Sequence, residues 1–284
     1  MIDIAKLTTS RVLLFDGAMG TMLQQGGLAP DVLPELLNLN APETISDIHS
    51  QYVQAGADVV TTNTFQANGF KLGDAADVAQ VVAAGVACAQ RSHAAYVALD
   101  IGPLGQFLEP LGELSFEQAY DAFKVQLVAG ERAGADLVII ETFSDPQEAK
   151  AAIFAARENT QLPIICTLTF EENGRTLMGY DPLTAVEALQ DEGIAAFGIN
   201  CSVGPRAMQP IVEVMLRQCR LPVVMQANAG LPSLVDGHIE YEIGPEEYAQ
   251  AVIEMVQRGV AIIGGCCGTT PEYIRLLKQK LGVR

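Results

Sequence analysis

Eight short apolar runs, each followed by enough chain for a helix, constrain this sequence more than any other feature. They are Val12–Phe15, Val59–Thr62, Tyr96–Leu99, Leu137–Ile140, Ile164–Leu168, Ala196–Ile199, Val223–Gln226 and Ala261–Ile263. Their starts lie 27 to 47 residues apart, room for a crossover helix in every gap. Apolar residues follow one another within the runs instead of alternating with polar ones, the pattern of parallel strands covered on both faces. Helix-start signals support this order. Asp145-Pro146, Asp181-Pro182 and Thr270-Pro271 each set a capping side chain before a proline at the first helical position. Pro42 opens a stretch with Ile45, Ile48, Tyr52 and Val53 on one face. Eight strand–helix units in 284 residues predict an α/β fold, a (β/α)8 barrel forming one domain over 1–284. A doubly wound open sheet is the alternative, but it usually has fewer strands. No linker, low-complexity segment or internal repeat interrupts the chain.

Charge narrows the partners. With 17 basic against 34 acidic residues the chain carries a formal net charge of −17, a surface that repels phosphate backbones and anionic lipid. Neither nucleic acid nor membrane is expected. The N-terminus lacks a basic segment followed by an apolar one, and no apolar run reaches the roughly 18 residues that span a bilayer. A cytoplasmic protein is predicted.

The six cysteines are not read as a disulfide framework in a chain of this length without a secretion signal. Cys88 in an Ala/Val-rich helical run, Cys166 inside a strand and Cys219 near a helix end read as small buried hydrophobes. Cys201, Cys266 and Cys267 differ. They fall just past the predicted strand ends, as do Asp16-Gly17-Ala18, Asn63-Thr64, Asp100, Glu141-Thr142, Asn200 and Gln226-Ala227-Asn228. In a barrel such positions converge on the C-terminal face, where barrel enzymes keep their active sites. One strand separates those carrying Cys201 and the Cys266-Cys267 pair, so the three sulfurs can share a metal, and Gly264, Gly265 and Gly268 free the backbone around the pair. Three thiolates with an open fourth position describe catalytic zinc, and thiolates select zinc over magnesium or manganese. Three thiolates outweigh a divalent ion by one negative charge. That makes a poor activator of water, but it still favours ionisation of a bound thiol. A vicinal pair packed in the core, or a redox pair, are the competing readings. Asp16 and Glu141 are placed to bind an ammonium group, and the Asp16-Gly17-Ala18 backbone N–H groups a carboxylate. Together these suggest an amino acid carrying a thiol. The alternative is helix capping by Asp16 and a solvated Glu141.

His49 and His93 are assigned to helices, as surface or packing residues. Asp236-Gly237-His238 superficially matches the start of a cobalamin-ligating run, but Tyr241 stands where that run needs glycine. The surrounding segment reads as a loop, and no built-in cobalamin site is expected.

From about Leu13 to Ile274 the chain resembles the homocysteine S-methyltransferase family. The residues that carry the likeness are Phe15-Asp16-Gly17-Ala18-Met19-Gly20-Thr21-Met22, Gln54-Ala55-Gly56-Ala57-Asp58 running into Thr62-Asn63-Thr64-Phe65, Asn200-Cys201, and Gly264-Gly265-Cys266-Cys267-Gly268-Thr269. The resemblance implies zinc held by Cys201, Cys266 and Cys267, with the sulfur of L-homocysteine in the fourth position. It implies that Asp16, Gly17, Ala18, Thr64 and Glu141 contact the amino-acid end and that Asn200 supports the ligand beside it. The folate, cobalamin and reactivation modules of cobalamin-dependent methionine synthase are not in this sequence. The methyl donor is therefore expected to be a separate methylated corrinoid protein or methylcobalamin, with S-methylmethionine or a betaine as the alternative. A non-catalytic thiol- or zinc-binding protein is the reading from another class.

Overall fold

The structure is a computed structural model that describes residues 2–29, 32–235 and 238–282, without the side chains of Val235 and His238. Its main sheet has eight parallel strands: β1 Leu13–Leu14, β2 Val59–Thr61, β3 Tyr96–Ile101, β4 Leu137–Phe143, β5 Ile164–Leu168, β6 Ala196–Asn200, β7 Val223–Ala227 and, after a hairpin of β8 Pro232–Val235 and β9 His238–Tyr241, β10 Ile262–Gly265. The strand order is β1-β10-β7-β6-β5-β4-β3-β2. A parallel bridge between Phe15 and Val59 joins the two ends, with Asp16 N–H donating to the Val59 carbonyl at 3.0 Å. The barrel predicted from the eight runs is therefore the fold, and each run is one of its strands.

The helices begin where the sequence marks them. Asp145 and Asp181 each accept a backbone N–H of the first turn, from Gln147 and Thr184, and Pro146 and Pro182 open the helices. In the helix Pro42–Ala55, Ile45, Ile48 and Tyr52 are buried against the barrel, and Gly56 ends it at φ 108°, a left-handed angle that glycine adopts without strain. No helix among the described residues is long and apolar enough to cross a membrane.

Two layers of core follow from strand alternation. Leu13, Phe15, Val59, Ala98, Leu137, Ile139, Ile165, Ala196, Val224 and Ile262 fill the barrel interior, while their sequence neighbours pack outward against the helices. Continuing each strand by the same period of two brings Thr61, Asp100, Glu141, Thr167, Asn200 and Gln226 to the inside at its C-terminal end. The lower barrel is thus packed with hydrocarbon and its upper layer is polar.

Two expectations fail here. The segment around Ser233 to Glu247, read as a loop, contains the antiparallel hairpin β8–β9, paired from Pro232↔Tyr241 to Val235↔His238. An Asp-Gly dipeptide between two short apolar–polar alternations is a hairpin signal, and it was read instead against a cobalamin motif. Asp236, Gly237 and the His238 side chain lie outside the described residues. His93 is exposed just beyond the helix Val78–Gln90, in a left-handed conformation at φ 58°, whereas His49 is fully buried within its helix. Cys88 and Cys166 are buried as expected, and Cys219 is half-buried at its helix end.

Close strand approach makes one interior glycine essential. A Cβ at Gly198 would lie 2.0 Å from the Val224 carbonyl oxygen, whereas one at Gly20 meets nothing within 4 Å. Gly198→Ala is expected to lower stability by about 3 kcal/mol or to prevent folding, and Gly20→Ala, in a helix, to change it by less than about 1 kcal/mol. Urea unfolding midpoints of the two variants check this.

Candidate metal centre

The three cysteines meet at the C-terminal mouth of the barrel. Each offers its sulfur within 4.8 Å of the other two, and among the described residues this is the one group of three or more His, Cys, Asp or Glu side chains so arranged. Cys201 Sγ and Cys267 Sγ are 3.8 Å apart. Tetrahedral zinc with Zn–S bonds of about 2.3 Å needs sulfurs about 3.8 Å apart, so the donor set fits that ion. All three residues are partly exposed on a cavity of about 430 Å³, which leaves the fourth coordination position open.

Local backbone chemistry aims these sulfurs. Cys201 and Ser202 both hold positive φ, 60° and 62°, a conformation that non-glycine residues adopt only when their surroundings impose it. Here Cys201 N–H donates to the Gln226 carbonyl at 3.0 Å and Val203 N–H to the Cys201 carbonyl at 2.9 Å. The Ser202 hydroxyl bonds that of Thr169. On the other side, Cys266 N–H donates to the Ala227 carbonyl at 2.8 Å, while the Cys266 carbonyl accepts from Thr269 Oγ1 at 2.7 Å. Gly265 has no room for a side chain: a Cβ would stand 2.2 Å from Thr269 Oγ1.

Three sulfurs this close resist ionising together. Hydrogen bonds from the Cys201 and Cys266 thiols pull Cys267 well below the ordinary thiol range. Cys266 is pushed well up by its hydrogen bonds to Cys201 and Cys267 and by burial. At Cys201 a hydrogen bond from Cys266 lowers the pKa, but the bond to Cys267, burial and the neighbouring sulfur charge raise it further, to about 11. Without a cation the cluster holds one thiolate charge; a divalent ion is what permits three.

The opposite wall is acidic. Asp16 is 4% exposed and accepts Thr61 N–H at 2.8 Å and Thr61 Oγ1 at 2.9 Å, yet burial pushes its pKa up to about 7. Burial, then the charges of Cys201 and Asp16, push Glu141 up to about 8. Asp100, buried beside both, is raised well above the carboxylate range, first by burial and then by Glu141. Its Oδ1 has no hydrogen-bond partner, nor have Glu35 Oε2 and Gln226 Oε1, and all three residues line the same cavity. Among the described residues, no lysine or arginine lines it. Buried carboxyls without counter-charge are the signature of a site waiting for a cationic group.

Asn200 ties the two walls together. Its Nδ2 donates to Thr142 Oγ1 at 2.7 Å and to Glu141 Oε2 at 3.2 Å, and lies 3.9 Å from Cys266 Sγ. Its Oδ1 accepts Thr142 N–H and Thr167 Oγ1, each at 2.8 Å. These bonds pin an irregularity in β4, where the register with β5 shifts between Ile140 and Phe143 and Thr142 takes φ 64°.

The alternative reading of Asp16 as a helix cap does not hold: the N-cap of Met19–Gln25 is Ala18, without a side-chain bond. The amide edge lies further along the chain than the sequence suggested. Asp16 N–H is taken by Val59 and Ala18 N–H by Thr269 Oγ1 at 3.3 Å. Gly17, Met19 and Gly20 also line the cavity, where the uncapped first turn leaves amides without intrahelical acceptors. Thr64 is fully buried away from the cavity. It donates to the Asp100 carbonyl at 2.8 Å and bonds Thr62 Oγ1, so it steadies the loop instead of lining the site. Residues the sequence reading left out of the site are Thr61, Asp100, Gln226, Glu35 and Tyr241. The first three are recoverable from strand parity, since each sits two residues past an interior apolar position.

The fold and site define a closed parallel barrel whose C-terminal mouth carries three converging thiols that could hold a metal ion. The comparisons with known proteins give the family. The family model described as homocysteine S-methyltransferase matches residues 13–281, and the chain belongs to that family. It is 34% identical over 296 residues to methionine synthase of Mycobacterium leprae (strain TN), and equally so to that of Mycobacterium tuberculosis (strain ATCC 25618 / H37Rv). Each alignment covers 96% of this chain, which spans only about a quarter of those relatives (24% and 25%). The metallated form of the homocysteine methyltransferase MmuM from Escherichia coli shares the fold at a TM-score of 0.83 and 23% identity, with 97% of this chain and 98% of that one covered.

The acidic wall sets a pH dependence. The ordinary pKa of Glu141 is 4.5 and its folded value about 8, so between those limits the folded state holds a proton that the unfolded state has lost. Stability of the ligand-free protein therefore falls as pH rises through that window, by a few kcal/mol for a buried carboxyl. Glu141→Gln is expected to flatten the fall, read as urea midpoints at pH 5 and pH 8; an unchanged pH slope would contradict the assignment.

Proposed function

We propose that this chain transfers a methyl group to the thiol of L-homocysteine, giving methionine, with zinc as its metal. The observation that carries the reading is one cavity with three sulfurs within 4.8 Å of one another on one wall and unpaired buried carboxyls on the other. Cys201, Cys266 and Cys267 would hold the zinc ion, which when bound supplies the positive charge that lets a thiol ionise at neutral pH and stay nucleophilic.

The chain's own residues do the rest. Glu141 and Asp16, with Asp100 beside them, take the substrate ammonium, whose charge returns the carboxyls to their ionised form. The amide edge at Gly17 to Gly20 takes the carboxylate. Asn200 fixes Glu141 and Cys266 relative to each other, so the acceptor sulfur is presented at one distance from the entering donor. In the transfer the sulfur forms a bond to the methyl carbon, and the bond from methyl to donor breaks with its pair leaving on the donor.

We propose a methylated corrinoid protein, or methylcobalamin, as that donor, in a cytoplasmic setting. The kinship with methionine synthases supports this. So does the rim: Phe107, Leu111, Leu177, Leu231, Leu234 and Ile239, exposed large apolar residues, all lie in the connections that follow the C-terminal ends of β3, β5 and β7, the last two in the β8–β9 hairpin.

Purified protein expressed in zinc-replete medium is expected to carry about one zinc per chain, and Cys266→Ala less than about 0.2. In parallel assays of homocysteine with methylcobalamin, S-methylmethionine and betaine, methionine should form with the first alone. Zinc retained in Cys266→Ala would sink the metal site, and homocysteine binding without methionine from any donor would leave a binding protein.

A further inference from the structure

Cys201 stands on strained backbone. It and Ser202 hold φ of 60° and 62°, and two consecutive non-glycine residues stay in the left-handed region only while their surroundings hold them there. Backbone bonds fix the two ends of this turn. Cys201 N–H is on the Gln226 carbonyl, and the carbonyl of Val203, itself buried, accepts Asn228 N–H at 3.1 Å. Between those ends Ser202 is tied through its side chain, and to a different strand: its hydroxyl bonds that of Thr169.

Thr169 is the first residue past β5, and it is firmly seated. Its N–H donates to the Phe143 carbonyl at 2.9 Å, and its neighbours Leu168 and Phe170 are fully buried. Two positions earlier, Thr167 donates to Asn200 Oδ1 at 2.8 Å. Residues two apart on a strand point to the same side. The end of β5 therefore puts out two hydroxyls in step, at 167 and 169, and they meet the side chains of residues 200 and 202. The backbone pairing of β5 with β6 runs from Ile165↔Ala196 to Leu168↔Ile199, and the two side-chain bonds carry the join past its end. The residue they bracket is Cys201.

What depends on this bracket is the direction of a sulfur. The Cα–Cβ bond turns with the backbone, so a turn relaxed to the right-handed region would swing Cys201 Sγ out of its place 3.8 Å from Cys267 Sγ. We infer that Thr169 is a positioning residue: acting through Ser202, it holds Cys201 in the strained turn that aims its sulfur at Cys266 and Cys267, so that a metal ion meets three donors already gathered. The inference rests on the zinc reading above. It gives Thr169, which touches neither metal nor substrate, control over how tightly the metal is held.

Thr169→Val removes the hydroxyl and keeps the shape of the side chain. In competition with a chromophoric chelator, zinc affinity of the variant should fall roughly 10- to 100-fold, and that of Thr169→Ser should stay within about threefold of the parent. Ser202→Gly added to Thr169→Val should recover most of the loss, since glycine takes a φ near 60° without being held. In cobalt-substituted protein the thiolate-to-metal charge-transfer band should weaken in Thr169→Val, as one of three thiolates leaves, and return with Ser202→Gly. The metal-free Thr169→Val protein should unfold at the same urea concentration as the metal-free parent or a higher one, because the lost bond and the released strain act in opposite directions. A bond that served only the fold would leave it less stable. Equal zinc affinity in parent and Thr169→Val, a loss that Ser202→Gly does not recover, or a metal-free variant that unfolds at clearly lower urea overturns the role of Thr169. A parent that holds no metal overturns the zinc reading instead, and this inference falls with it.

Discussion

The side-chain amide of Asn200 is the contact on which the architecture of this site turns. It joins the end of β6 to the irregular stretch of β4, to Thr167 on β5 and to the sulfur of Cys266 beyond β10. An amide suits that place because it carries donors and acceptors on one rigid plane, and because it stays neutral between a cluster of thiols and a wall of carboxyls. A carboxylate there would add charge to both neighbours, and an apolar residue would leave the Thr142 N–H and the Thr167 hydroxyl buried without partners, at about 1 to 3 kcal/mol each.

Around that link the protein concentrates negative potential. Three thiols, Asp16, Asp100, Glu141 and Glu35 surround one cavity with no basic side chain among its lining residues. The folded chain tolerates this only by keeping most of the groups protonated, which is why burial and mutual repulsion raise the carboxyl pKa values and two of the three thiols. Acidic groups gathered this way are stabilised by cationic partners, which would let them ionise together. The rest of the barrel has to carry their mutual repulsion, and its apolar lower layer and helix-covered outer layer do so.

Much of this was legible before any coordinates. The spacing of apolar runs specified eight parallel strands, and strand-end placement brought Cys201 together with Cys266 and Cys267. What was missed was missed for identifiable reasons. The family resemblance implies a substrate contact for Thr64, but the turn at Thr62-Asn63-Thr64 sends its hydroxyl back to the Asp100 carbonyl. The amide edge was misplaced because strand-end position does not say which N–H groups the barrel's own closure consumes: Val59 and Thr269 take two of them. Tyr241 escapes the sequence reading because its segment is weighed against a cobalamin-ligating run and taken for a loop, and a side chain reaching the site from a hairpin leaves no strand-end signature. Asp100 was seen at its strand end but given no role, although its parity with Ala98 already pointed it inward.

Under the proposed function, the two walls explain why an amino acid with a side-chain thiol is the acceptor that fits. A plain thiol would satisfy the metal but leave the carboxyls unpaired, and an amine without sulfur would leave the fourth metal position unfilled. Only a molecule with a thiol at one end and an ammonium at the other relieves both, and because Asn200 holds the walls at a set separation, the chain between those groups must have one length. A carboxylate beside the ammonium would then find unpaired amides at the start of the Met19–Gln25 helix. On that reading, recognition of the substrate and activation of its sulfur become one electrostatic problem, solved by placing like charges together and letting the acceptor and the proposed metal supply the opposite ones.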